Sequence, residues 1–185
     1  MGRNEIRIAG FGGQGVLLSG KIIGQAASIH DKGFANLTQS YGPESRGGSC
    51  TAEMVISDKP IDYPYVTNPQ VLILLSQEAY NKYGHSQGTL IIIDKDLVKP
   101  NSVHNSPPLS IPATRMAREM GNVVVANIII LGFLAAVSDL VSYEALRKSI
   151  LTSVPKEMAE FNIKAFETGY NYGMEQKRQD EGTHD

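Results

Sequence analysis

Two loops carry the residues whose types and spacing could do chemistry. The first lies in IAGFGGQGVLLSG, residues 8–20, where Gly10, Gly12, Gly13 and Gly15 crowd together behind a short apolar run. Glycines placed this way admit positive φ and let a ligand approach the main chain closely. A helix opening directly behind them adds free N–H groups and a partial positive charge, so the chemistry is capture of a phosphate-type anion. Gly10, Gly12 and Gly15 also match the dinucleotide spacing. Such a site wants an acid about 20 residues on, after the second strand, for the ribose hydroxyls. Here that region reads ANLTQSYG, with no acid until Glu44. No Lys-Ser or Lys-Thr closes the turn either, which argues against a nucleotide-hydrolysing loop. Two readings stay open: a phosphate-bearing ligand held by backbone N–H groups, or a tight turn at a subunit interface.

The second loop, QSYGPESRGGS at residues 39–49, gathers Tyr41, a Gly42-Pro43 turn, Glu44, Arg46 and the Gly47-Gly48 pair. Arg46 could present a planar fork to a carboxylate or phosphate. Glu44 could pair with it or meet a cation on a partner. Taken alone, this loop is equally a solvated turn with a local Glu44–Arg46 contact.

The remaining reactive types are sparse. Cys50, the single cysteine, sits in an expected strand and reads as a small packed residue, not a nucleophile. His30, His85 and His104 fall at helix ends or in a loop, without metal-ligand spacing, and read as surface side chains. Lys21 reads as solvated, one helical turn from the glycines. Asn127 interrupts an apolar run and reads as an N-cap or as part of a cleft lining. Tyr63 and Tyr65 flank Pro64 and are either an interface anchor or buried.

The elements that must position these loops follow from periodicity. Residues 5–9 read as a first strand and 16–29 as a helix, with Gly20 and Gly24 on one face for close packing against a sheet. A short strand is expected at 34–38, and a half-exposed one at 50–57, antiparallel or at an edge. VLILLS (71–76) and TLIIID (89–94) are strands buried on both faces, with a short helix between them. Residues 99–112, with four prolines, read as a loop; 114–120 as a short helix; NVVVAN (122–127) as a last strand or extended segment. A buried helix over 128–136, a helix over 143–152 capped by Ser142, and a last amphipathic helix from Pro155 to about residue 172 complete the chain. The expected architecture is α/β: one domain over residues 1–173, a mainly parallel Rossmann-like sheet with helices on both faces, and a frayed polar tail over 174–185.

Composition narrows the class further. The chain has 185 residues, is 42% hydrophobic and 19% charged, and carries a net charge of −2. That balance gives no reason to expect a nucleic-acid or anionic-membrane partner. No signal peptide is evident and the most apolar stretch, 123–137, is too short to span a bilayer, so a cytoplasmic protein is expected. One cysteine cannot supply the four thiolates of an iron–sulfur cluster.

Taken together, GFGGQGVLLSGKIIGQAA and, about 25 residues later, QSYGPESRGG resemble the gamma subunit of 2-oxoacid:ferredoxin oxidoreductases. The likeness continues through AEMVISDKPIDYP, ANIIILG and SVPKEMAEFNIKAFETGY, and so covers nearly the whole chain. The SYGPESRGG form with IDYP downstream is most similar to the 2-oxoglutarate enzymes, with the branched-chain and pyruvate enzymes as alternatives. The resemblance implies a component of an oxidoreductase that converts 2-oxoglutarate, CoA and oxidised ferredoxin to succinyl-CoA, CO2 and reduced ferredoxin, or the reverse. It implies that thiamine diphosphate and iron–sulfur clusters belong to alpha, beta and ferredoxin-like delta partners, with no catalytic or metal-binding residue in this chain. Consistently, no Gly-Asp-Gly with a downstream Asn-Asn is present. What remains for this chain is assembly and part of the CoA site. Gly12, Gly13, Gln14 and Gly15 would contact CoA phosphates or pantetheine, with Arg46 as a nearby cation. Alternatively both loops, including Tyr41, Gly42, Pro43, Glu44, Gly47 and Gly48, pack against a partner subunit and touch no ligand. A stand-alone nucleotide-binding oxidoreductase is the reading from a different class, and it lacks the acid it needs.

Overall fold

A computed structural model describes residues 2–43, 47–86, 88–101 and 107–181. Six strands form one sheet: β1 (Asn4–Phe11), β2 (Phe34–Tyr41), β3 (Ser49–Ser57), β4 (Val71–Leu74), β5 (Leu90–Asp94) and β6 (Leu109–Ile111). Their order is β2-β3-β1-β4-β5-β6. β1, β4, β5 and β6 pair in parallel, and β3 alone runs antiparallel to both its neighbours. The antiparallel strand expected near Glu53 is therefore real, but it lies inside the sheet, and the edge belongs to β2. It is also more buried than its alternating polarity suggested, because Glu53 is neutralised by Arg7 of β1 at 2.6 Å.

The helices are α1 (Val16–Gln25), α2 (Gln77–Tyr83), α3 (Ala113–Glu119), α4 (Ala126–Val137), α5 (Tyr143–Ser153) and α6 (Ala159–Glu181). They cover the sheet unequally. α1 and α3 to α6 share one large core with Ile6, Ile8, Met54 and Ile73, whereas α2 alone packs on Leu72, Leu74 and Ile91 of the other face. Gly20 earns its place as expected, since a Cβ there would come within 3.0 Å of Ala52 and of Leu37. Ser142 caps α5 as expected by accepting from the Ala145 N–H at 3.2 Å.

Four boundaries differ from the sequence reading. The first helix ends in a widened π-turn over Ala26–His30. The run at 123–125 is a 3-10 turn and not a strand, because the Asn122 side chain accepts from the Val124 N–H at 3.1 Å and turns the chain. The last strand instead lies inside the proline-rich stretch, where three residues between Pro108 and Pro112 pair with β5. Finally, α6 does not fray after residue 172. Gly173 still packs on Phe133 and Ala136 of α4, Gln176 donates to the Ser110 carbonyl at 3.3 Å, and strong helix formers follow.

Candidate functional site

The glycine turn joins the carboxyl end of β1 to α1, the end of a parallel sheet at which α/β proteins bind ligands. Gly15, the residue before α1, has φ 74°, and Gly13 has φ 95°. A Cβ on Gly15 would collide with the Asn127 amide, whereas one on Gly13 would point into open space. No side chain caps α1, and the N–H groups of Gly13, Gly15 and Val16 have no partner among the described residues. Two further N–H groups of the turn are occupied. The Gly12 N–H donates to the Gly48 carbonyl at 2.9 Å, and that of Gln14 reaches the Phe11 carbonyl at 3.2 Å.

Gln14 is also spoken for in its side chain. Its Oε1 accepts from the Phe11 N–H at 2.6 Å and its Nε2 donates to the Leu75 carbonyl at 2.7 Å, tying the turn to the end of β4. Its amide therefore fixes the shape of the turn, and the open main-chain donors among the described residues are those of Gly13, Gly15 and Val16.

The two motifs meet. Besides the Gly12–Gly48 bond, a Cβ on Gly12 would lie 3.3 Å from the Cα of Gly47, which itself has φ 68°. Gly42 closes the base of the second loop by donating to the Ser49 carbonyl at 2.7 Å, and Tyr41 stays 63% exposed. Glu44 and Arg46 lie outside the described residues.

A cavity opens on each side of the turn. One, of about 230 Å³, lies among Gly10, Tyr41, Pro43, Ser76, Lys82 and Tyr83. The other, of about 250 Å³, is lined by Gly13 and Gln14, by Asp94 at the end of β5, and by Arg118, Val124 and Asn127. Asp94 is buried and accepts from the Thr114 Oγ1 at 2.6 Å, the Thr114 N–H at 2.9 Å and the Asp96 N–H at 3.0 Å. Burial nonetheless pushes its carboxyl above the usual range, outweighing those three donors. Arg118 stands exposed at the mouth and makes no ion pair among the described residues.

Asn127 is neither a cap nor solvated. It lies in the first turn of α4, 3% exposed, with Nδ2 3.4 Å from the Gly15 carbonyl and 3.3 Å from the Ser19 Oγ. Of its two readings, cleft lining is the observed one. Asp94 and Arg118 escaped the sequence reading, although an acid closing the apolar run TLIIID marks the carboxyl end of a parallel strand and could have been noticed.

The other candidates fall elsewhere. Cys50 is a packed core residue whose thiol is pushed up by burial. Lys21 and His85 are exposed, His30 is half-buried, and His104 lies outside the described residues. Tyr63 and Tyr65 are 54% and 55% exposed, so they are not buried within the chain. The topology also explains why no ribose-binding acid follows the turn. In a dinucleotide fold the second parallel strand lies beside β1. Here antiparallel β3 takes that place, with Cys50 opposite Gly10 and Ser49 opposite Phe11, and β2 is displaced to the edge.

A domain of this topology, with two interlocked glycine loops at the carboxyl end of its sheet, defines a class. The chain belongs to the pyruvate ferredoxin/flavodoxin oxidoreductase family, which it matches over residues 5–172. Within that family it is 46% identical to the 2-oxoglutarate synthase subunit KorC of Methanocaldococcus jannaschii, over 94% of this chain and 95% of that protein. It superposes on the gamma subunit of a keto/oxoacid ferredoxin oxidoreductase from Geobacter sulfurreducens with a TM-score of 0.82 and 38% identity, covering 94% and 98% of the two chains. It also superposes, with a TM-score of 0.82 and 25% identity, on the 2-oxoglutarate:ferredoxin oxidoreductase of Magnetococcus marinus, solved with 2-oxoglutarate, coenzyme A and succinyl-CoA bound. That match covers 94% of this chain but 31% of the other, so the same fold is there one part of a longer polypeptide. The gamma-subunit resemblance drawn from the two loops is borne out, and with it the oxidoreductase class. No helix among the described residues is long and apolar enough to cross a membrane.

Proposed function

We propose that this chain is the gamma component of a 2-oxoglutarate:ferredoxin oxidoreductase and that its glycine turn holds a phosphate of coenzyme A in the assembled enzyme. The observation that carries this reading is the uncapped N-terminus of α1, where the N–H groups of Gly13, Gly15 and Val16 have no partner among the described residues, with a cavity beside it. A phosphate there gains backbone donors and the helix dipole without needing a ribose-binding acid. Arg46, whose loop is tied to the turn through Gly48, is the nearby cation in this scheme. Tyr41, Pro43 and the glycines around them then shape either the ligand channel or the contact with a neighbouring subunit.

The residues present do not fit the redox groups of the family. The chain has one cysteine where a cluster takes four thiolates, and the described residues contain no group of three or more potential metal ligands. In this reading thiamine diphosphate and iron–sulfur clusters belong to alpha, beta and ferredoxin-like delta partners, with ferredoxin as the acceptor and the cytoplasm as the compartment. The chain's own contribution is to bind one substrate and hold it against a partner subunit.

Co-purification tests the assembly. A tag beyond α6, used in the native host, should bring down stoichiometric thiamine-diphosphate and iron–sulfur subunits. The complex should reduce ferredoxin faster with 2-oxoglutarate than with pyruvate or branched-chain 2-oxoacids. Preference for one of the latter would overturn the substrate assignment, and recovery of the chain alone with a bound nucleotide would overturn the assembly.

A further inference from the structure

We infer that Asn127 recognises an N–H donor on the bound ligand through its side-chain carbonyl. This rests on the reading that a coenzyme A phosphate lies at the glycine turn, and it adds a specificity residue from another part of the chain. The Gly15 carbonyl can only accept, so the amide must turn its NH2 toward it, with the Ser19 hydroxyl as second anchor. Oδ1 then has no partner among the described residues. The residue is 3% exposed and lines a cavity whose other walls include Leu75, Leu97, Val124 and Ile130. Oδ1 is not sealed in the core but opens on the cavity, whose wall also carries Asp94 and Arg118, so it is placed to accept a donor from a ligand. The same side chain fills the space that a Cβ on Gly15 would need, so anion turn and acceptor are built as one unit.

The ligand chemistry is thus an uncharged N–H group within reach of a phosphate. Coenzyme A offers two sources, the 6-amino group of adenine and the amides of the pantetheine arm. The assembled enzyme distinguishes them through two ligand pairs. One pair is adenosine 3′,5′-bisphosphate and its inosine counterpart; the other is phosphopantetheine and an analogue with ester oxygens replacing the amide N–H groups. The wild-type enzyme should favour the N–H-bearing member of one pair by about tenfold, and Asn127→Ala should abolish that preference. Loss in the first pair assigns the base, and loss in the second assigns the arm.

A merely structural role for Asn127 would weaken both members of a pair equally and leave the ratio intact, which overturns the inference. So does a wild-type enzyme without preference in either pair, a result that needs no variant to fold. The underlying reading fails separately: if Gly13→Asp leaves the KM for coenzyme A unchanged, the turn holds no phosphate, whatever Asn127 does.

Discussion

The two ends of the sheet each bury a carboxylate, and they treat it in opposite ways. At the amino end, Glu5 accepts from the N–H groups of Thr67 and Asn68, both at 2.6 Å, and from the Arg3 Nε at 2.8 Å. Burial pushes its carboxyl up, but these donors and the Arg3 charge together bring it below the usual carboxylate range. Arg3 continues the lattice by donating to the carbonyls of Tyr63 and Tyr65 at 2.6 and 2.7 Å. At the carboxyl end, Asp94 keeps a raised pKa beside a cavity, and the N–H groups of Gly13, Gly15 and Val16 have no partner among the described residues. One end is saturated and fixes a loop. The other leaves main-chain donors of the glycine turn open beside a cavity among the described residues, as the proposed ligand contact requires.

Substitutions at the two ends should separate stability from binding. The largest expected effect on stability is at Glu5. Glu5→Ala takes the shared acceptor from the part-buried Thr67 and Asn68 N–H groups and from the Arg3 guanidinium, and should lower the unfolding free energy by about 3 kcal/mol in urea titration. A loss below about 1 kcal/mol would mean that the amino end is not the lock described here. Gly15→Ala comes next. It combines a left-handed backbone with displacement of Asn127, and should cost about 2 kcal/mol in the same titration.

The smallest effect is in the pH profile, where the two carboxylates oppose each other. Because the folded pKa of Glu5 is lowered, its stabilisation is present above the ordinary carboxylate value and is lost as the pH falls through the lower, folded one. Asp94 has the reverse sign: its folded pKa is raised, so stability falls as it ionises on the way up in pH. Glu5→Gln should therefore flatten the acid-side loss of stability below about pH 4, and Asp94→Asn should remove the fall in stability that Asp94 causes above it. Thermal melting across pH 3 to 7 reads both, and equal profiles for the two variants would erase the contrast.

Much of the geometry of the glycine turn was legible because glycine leaves few alternatives. Gly12, Gly13 and Gly15 occupy a turn whose close approach to Gly47 and whose positive φ values admit little else. The apolar runs likewise announced β4 and β5, since strands buried on both faces need no polar residues. What stayed hidden depended on distant partners. Asn127 looks like a cap until α4 is seen packed against the turn, 112 residues earlier in sequence. The bond from the Gln14 amide to the Leu75 carbonyl joins residues 61 positions apart and could not be read from the turn itself. The saturated end was invisible for the same reason, because Arg3 and Glu5 find their partners in residues 63–68. The 3-10 turn at Val123–Val125 was misread because a β-branched run outweighed the single capping residue, Asn122, that precedes it.

The central claim, that the open end binds coenzyme A through the main chain of the glycine turn, is tested most directly by charge at Gly13. A side chain there meets no neighbour within 4 Å, so Gly13→Ala carries the backbone strain and Gly13→Asp adds only an anion. Steady-state kinetics of the assembled enzyme should show a KM for coenzyme A at least about tenfold higher in Gly13→Asp than in Gly13→Ala, with the KM for the 2-oxoacid unchanged. Equal coenzyme A values for the two variants would contradict the claim and leave the turn as a packing surface for a partner subunit.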